Sequence, residues 1–169
     1  MIEIVQKGHP ALSKEALSIP IEEITSEKVQ GIISDMKIAL ESQDDGLAIA
    51  APQIGVSYRI FIISGRLFTK KDGPRKEDRI YINPNFIKLS KKKSWKKGEG
   101  CLSVRWLYGT VQRHTNVTIE AYDEHGEMFT ETAGGMLAHI FQHEVDHLNG
   151  ILFDSKAKDI EAHEPEHQH

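Results

Sequence analysis

The sequence predicts an α+β domain in which antiparallel strands pack around a C-terminal helix carrying an H-E-x-x-H pattern, with a second helix near the N-terminus. Three observations predict it. Apolar residues recur at helical spacing in two stretches, one early and one late in the chain. The short β-branched and aromatic runs cluster between those stretches instead of alternating with helices, which favours antiparallel pairing. The composition, 39% hydrophobic and 27% charged over 169 residues, is that of a single globular domain. Residues 1–154 are expected to form it, with 155–169 a polar, flexible tail.

Taken in order, residues 1–22 read as irregular, with Pro10 and Pro20 as breakers. Thr25 or Ser26 can cap a helix over about residues 26–42, in which Val29, Ile32, Ile33, Met36 and Ala39 share one face. GLAIAAPQIG (46–55) is a small-residue segment leading to a strand over 58–63. Residues 65–79, with FTKKDGPRKED, read as a surface loop. A strand over 80–89 is broken at Pro84, and KKKSWKK (91–97) reads most simply as a solvated loop. Residues 117–122 and 128–132 flank DEHG as a hairpin. From 135 the pattern MLAHIFQHEVDHL is helical to Leu148, with Asn149-Gly150 as its stop.

Several function classes fall away. A net charge of -4 does not suit a general DNA or RNA binder. One cysteine, Cys101, excludes an intramolecular disulfide scaffold. No basic leader followed by an apolar run is visible, and no stretch approaches the ~18 apolar residues of a membrane span. The expected compartment is a reducing cytoplasm.

The strongest chemical signal is His143-Glu144-Val145-Asp146-His147. Positions four apart on a helix lie about 40° apart around its axis, so both imidazoles reach one metal ion. Glu144 can then reach a metal-bound water without ligating the ion. Two histidines leave the set short of a third ligand. In the continuation H-x-x-G-x-x-H, Gly150 fits but the last position is Phe153, which cannot ligate. A glutamate from a later helix would have to be Glu161, Glu164 or Glu166, on a tail too short for that helix. Cys101 remains, in Gly98-Glu99-Gly100-Cys101-Leu102-Ser103, where glycines allow a close approach; a lone cysteine is more often a small core residue. His139 shares the helix face but sits about 80° from His147, which disfavours all three histidines converging on one ion.

GLAIAAPQ, EGCLS and QHEVDH, in this order and at these spacings, resemble the three signature motifs of the peptide deformylase family. VQRHTNV, AYDEHG and HLNGILFD are similar to its connecting segments, so the resemblance covers most of residues 30–154. It implies an α+β fold and a hydrolase that takes the formyl group from the formyl-methionine of nascent polypeptides, releasing formate. It implies a metal on Cys101, His143 and His147, most often iron(II), with zinc, nickel or cobalt as substitutes. By the same resemblance Glu144 is the general base, and the Gln53 amide and the Leu102 backbone N–H stabilise the developing oxyanion. Ribosome proximity follows, and the five lysines of 91–97 could then meet RNA. The competing readings are an H-E-x-x-H zinc metalloprotease and a non-catalytic formyl-peptide or metal-binding protein of the same fold.

Met136, His139 and Ile140 precede His143 on its face and, with Gly46, Leu47 and Ala48, would wall the pocket for the substrate's first side chain; core packing is the plainer reading. Gly46 also reads as a helix stop after Asp45. Four features depart from the family pattern. Ala48 stands at a usual glycine, Arg105-Trp106 at Pro-Gly, Tyr108 at a frequent arginine, and His139 makes the pocket wall less apolar.

Overall fold

The computed structural model describes residues 1–165; Glu166, one of the tail glutamates weighed as a ligand, lies outside the described residues. Ser26 caps helix α1 (Glu27–Glu41) by accepting from the Val29 N–H. The helix stops four residues before Asp45, so Gly46 is not its terminator: it sits buried against Leu40 and Gln43 in the turn into β1 (Ala48–Ala50). A short 3-10 turn, Ala51–Ile54, follows, closed by Gly55 at φ +81°.

Strands β2 (Ile60–Ile63) and β3 (Arg79–Leu89) then form a central antiparallel pair. Ile60, Ile62, Ile80 and Ile82 face α1, whereas Phe61, Ile63 and Tyr81 face the last helix. Both sheet faces are therefore covered, which explains why β2 reads as a continuous apolar run and not as an alternation. β3 runs through Pro84 instead of ending there. Its register against the next strand slips between Ile82 and Asn85, and Asn83, at φ 51°, donates to and accepts from the Ile19 backbone at 2.8 Å each.

β4 (Lys93–Gly100) and β5 (Leu107–His114) start a second sheet. The lysine run, expected as a loop, is thus largely strand. Its side chains are mostly solvent-facing, so backbone pairing holds it and no hydrophobic alternation announces it. β6 (Asn116–Tyr122) and β7 (Met128–Gly134) form the expected hairpin and extend the first sheet to the order β1-β2-β3-β6-β7. Helix α2 (Gly135–Leu148) buries Ala138, Phe141, Val145 and Leu148 on that sheet. Each such large side chain contributes about 1.5–3 kcal/mol on burial. β8 (Lys158–Ala162) pairs with β5 and completes the order β4-β5-β8. It falls in the stretch expected as a tail. All five of its residues are exposed, so its sequence carries no burial pattern. Among the described residues no helix is long and apolar enough to cross a membrane.

Candidate metal centre

With its apolar face committed to the large sheet, α2 turns His143 and His147 toward the strand β4. The two rings lie one helical turn apart, with centroids at 4.9 Å. Cys101 immediately follows β4. The strand bulges between Lys96 and Glu99, Gly98 takes φ +78°, and a Cβ on Gly100 would stand 2.5 Å from the Tyr108 ring. Gly98 takes the positive φ of the bulge, and Gly100 leaves room for the Tyr108 ring on the paired strand β5. Cys101 Sγ reaches 3.2 Å from His147 Nε2, and one donor atom from each of Cys101, His143 and His147 lies within 4.8 Å of the others. A thiolate with two imidazoles suits zinc and neighbouring divalent transition ions, and three protein donors leave a position open. His139 is not in the cluster, and Phe153 stacks on His143 where an H-x-x-G-x-x-H continuation needs a histidine.

A second layer holds the donors. His143 Nδ1–H donates to Glu99 Oε2 at 2.9 Å, which leaves its Nε2 for the cluster. Arg113, only 3% exposed, donates to both Glu99 oxygens at 3.1 and 2.6 Å and to Asp146 Oδ2 at 2.9 Å. Burial works against charge on Glu99, but the bonds from His143 and Arg113 outweigh it and hold its pKa at about 2. Burial likewise opposes charge on His143, yet Cys101 and Glu99 together raise its pKa well above the ordinary value. Burial, with the His143 charge beside it, lowers that of His147. The site favours positive charge between a sulfur and a carboxylate, which a divalent ion supplies. Gln142 clamps the helix: its amide accepts from the His114 N–H at 2.8 Å and donates to the His114 and Ala138 carbonyls at 2.9 Å each. Glu99, Arg113 and Gln142 fall within the segments EGCLS, VQRHTNV and QHEVDH, but their roles were not read from the sequence; Arg113 is one inward position of a strand whose partners arrive from distant segments.

Glu144 is 3% exposed and its Oε2 has no hydrogen-bond partner among the described residues. Burial raises its carboxyl to about 7. Gln53, 1% exposed, accepts from the Ala50 N–H at 2.9 Å through Oε1. That fixes Nε2 toward Ser103 Oγ at 3.2 Å and Cys101 Sγ at 3.6 Å. Both side chains open onto a cleft of about 400 Å³. Gly46, Leu47 and Ala48 line one side of it, Met136, His139 and Ile140 another, with Cys101, Leu102 and His143 between. Of the predicted site residues only His147 is not part of this lining; it sits behind Cys101, 1% exposed. Ala48 lies in β1, paired with Ile63, where extended backbone accepts alanine as readily as glycine. Arg105 reaches across from the turn after Cys101 and donates to Asp45 Oδ2 at 2.8 Å and Gln43 Oε1 at 2.6 Å. Tyr108 packs against Gly100.

The chain matches the family model described as polypeptide deformylase over residues 1–163. It is 36% identical over 156 residues to a protein named peptide deformylase 2 from Nostoc sp., covering 90% of this chain and 84% of that one. It is 37% identical over 158 residues to peptide deformylase 2 of Clostridium perfringens, covering 94% of each. A solved structure, the Met-Ala-Ser-bound class I type b peptide deformylase of Acinetobacter baumannii, superposes with TM-score 0.81 at 31% identity, covering 92% of this chain and 98% of that one.

Proposed function

The chain belongs to the polypeptide deformylase family, a hydrolase family that removes the N-formyl group from N-terminal methionine, and from that premise we propose how its residues divide the work. Cys101, His143 and His147 hold one divalent metal ion. When bound, that ion supplies Lewis-acid chemistry, lowering the pKa of a water and polarising the formyl oxygen. Glu144 takes the proton from the attacking water and returns it to the amine nitrogen as the formyl C–N bond breaks, so formate and a free N-terminus result. A carboxyl lifted to about 7 by burial is suited to both transfers near neutrality. The Gln53 Nε2–H and the Leu102 backbone N–H donate to the formyl oxygen as charge builds on it, each such donor being worth roughly 3–4 kcal/mol of barrier.

Gly46, Leu47 and Ala48 with Met136, His139 and Ile140 receive the first side chain of the formyl-methionyl peptide. The ion is iron(II), with zinc, nickel or cobalt able to substitute, since a set of one sulfur and two nitrogens accepts all four. The enzyme acts in the cytoplasm, close to the ribosome that supplies nascent chains. The lysines of 91–97 give the β4 edge a positive charge that suits RNA there, with Trp95 half exposed beside the Lys158 ammonium.

One observation carries this reading: three soft-to-borderline donors from two distant segments converge beside a buried carboxylate whose Oε2 has no hydrogen-bond partner among the described residues. The test is anaerobic incubation with formyl-Met-Ala-Ser. Formate release without cleavage of internal peptide bonds is expected. Internal cleavage would favour a metalloprotease, and peptide binding without formate a non-catalytic relative.

A further inference from the structure

Formyl-methionine ends in a thioether, which needs only an apolar wall. The rim of the cleft provides that: Met136 and Leu47 are 49% and 40% exposed there. Further in, the wall changes character. His139 lines the same cleft but is 7% exposed, and its Nδ1 is fully enclosed without a hydrogen-bond partner among the described residues. Its Nε2 makes no hydrogen bond to the described residues either. An enclosed N–H without an acceptor is the costlier state, so the neutral ring carries its proton on Nε2, the nitrogen that is not enclosed and that a ligand in the cleft can reach.

The groups around His139 decide what kind of atom fits. Lys96, Glu99 and Arg113 are the charges that act on it. Both Glu99 oxygens are taken by His143 and Arg113, and Arg113 is spent on Glu99 and Asp146. Lys96 lines the cleft and makes no ion pair among the described residues. The uncommitted polar groups at this end are therefore donors, a neutral imidazole N–H and an ammonium. They call for a hydrogen-bond acceptor, and at the far end of a side chain of methionine's length that acceptor is an oxygen.

Resting on the deformylase reading above, we infer that His139 is a specificity-determining residue that lets the first-residue pocket accept a methionine-sized side chain bearing a hydrogen-bond-accepting oxygen, methionine sulfoxide above all, alongside methionine. The reaction is unchanged: water adds across the formyl amide and the sulfoxide passes through intact. The imidazole N–H donates to the S=O oxygen.

The experiment compares kcat/KM for formyl-Met-Ala-Ser and formyl-Met(sulfoxide)-Ala-Ser on the metal-loaded wild type, His139→Ile and His139→Gln. The sulfoxide-to-methionine ratio of kcat/KM should fall about tenfold in His139→Ile, mostly through a higher KM for the sulfoxide peptide. The glutamine variant, which keeps a donor, should recover part of the ratio. An unchanged ratio in His139→Ile overturns the inference. No formate from either peptide on the wild type instead overturns the deformylase reading beneath it. Should His139→Ile not fold, inhibition of the wild type by unformylated product tripeptides carries the same test. The Met(sulfoxide) product should bind at least as tightly as the norleucine product, and a norleucine preference of tenfold or more overturns the inference.

Discussion

At the metal end of the cleft, donors come from a helix and a strand end. The groups behind His143 are each held more than once: Glu99 by His143 and Arg113, and Arg113 by Glu99 and Asp146. At the other end, proposed above to take the substrate, the walls come from the turn before β1, the turn after Cys101 and the first turns of α2. All four departures from the family pattern, Ala48, Arg105, Tyr108 and His139, line the cleft, and none is a metal donor. The difference teaches where this fold can vary. Chemistry sits where groups hold one another in fixed geometry, and selectivity sits where one residue can change without disturbing the rest.

Substitutions at the two ends should therefore differ in kind. Glu144→Ala is expected to have the largest effect, lowering turnover roughly 10²–10⁴-fold with bound metal unchanged, as read by formate release and metal analysis. Glu99→Gln keeps the shape of the second layer but removes the charge between His143 and Arg113. Metal affinity should drop roughly 10–100-fold in a chelator competition. Equal affinity would show that the second layer is ornamental. Arg105→Ala should act only on the substrate end, raising KM a few-fold for tripeptides while stability stays within about 1 kcal/mol, because the Asp45 carboxylate is well exposed. The hydrogen bond from Arg105 holds the Asp45 pKa below its ordinary value. The contact is therefore complete above the usual carboxylate range and lost only as pH falls through the lowered value. The KM effect should be constant across neutral pH, and a loss of metal in this variant would erase the distinction between the two ends.

Much of the metal end was legible in the sequence, because its information is periodic. His143, Glu144 and His147 sit on one helix, and the glycines around Cys101 announce a tight turn. The apolar run of β2 and the β6–β7 hairpin were legible for the same reason. What escaped was held by backbone pairing or by partners remote in sequence. β8 and the first half of β4 bury almost nothing, so no alternation betrays them. Arg113 and Gln142 gain their roles only once β5 lies beside α2. Gly46 shows the converse: a glycine after a helical stretch looks like a helix stop, yet α1 ends at Glu41 and the glycine serves the close packing of the turn on Leu40.

The most direct test of the central claim is metal stoichiometry with formate release, both measured anaerobically on the wild type and on Cys101→Ala. The wild type should hold one divalent ion per chain and turn over formyl-Met-Ala-Ser, and the variant should lose both. A Cys101→Ala protein that keeps a full equivalent of metal and releases formate at the wild-type rate would contradict the account.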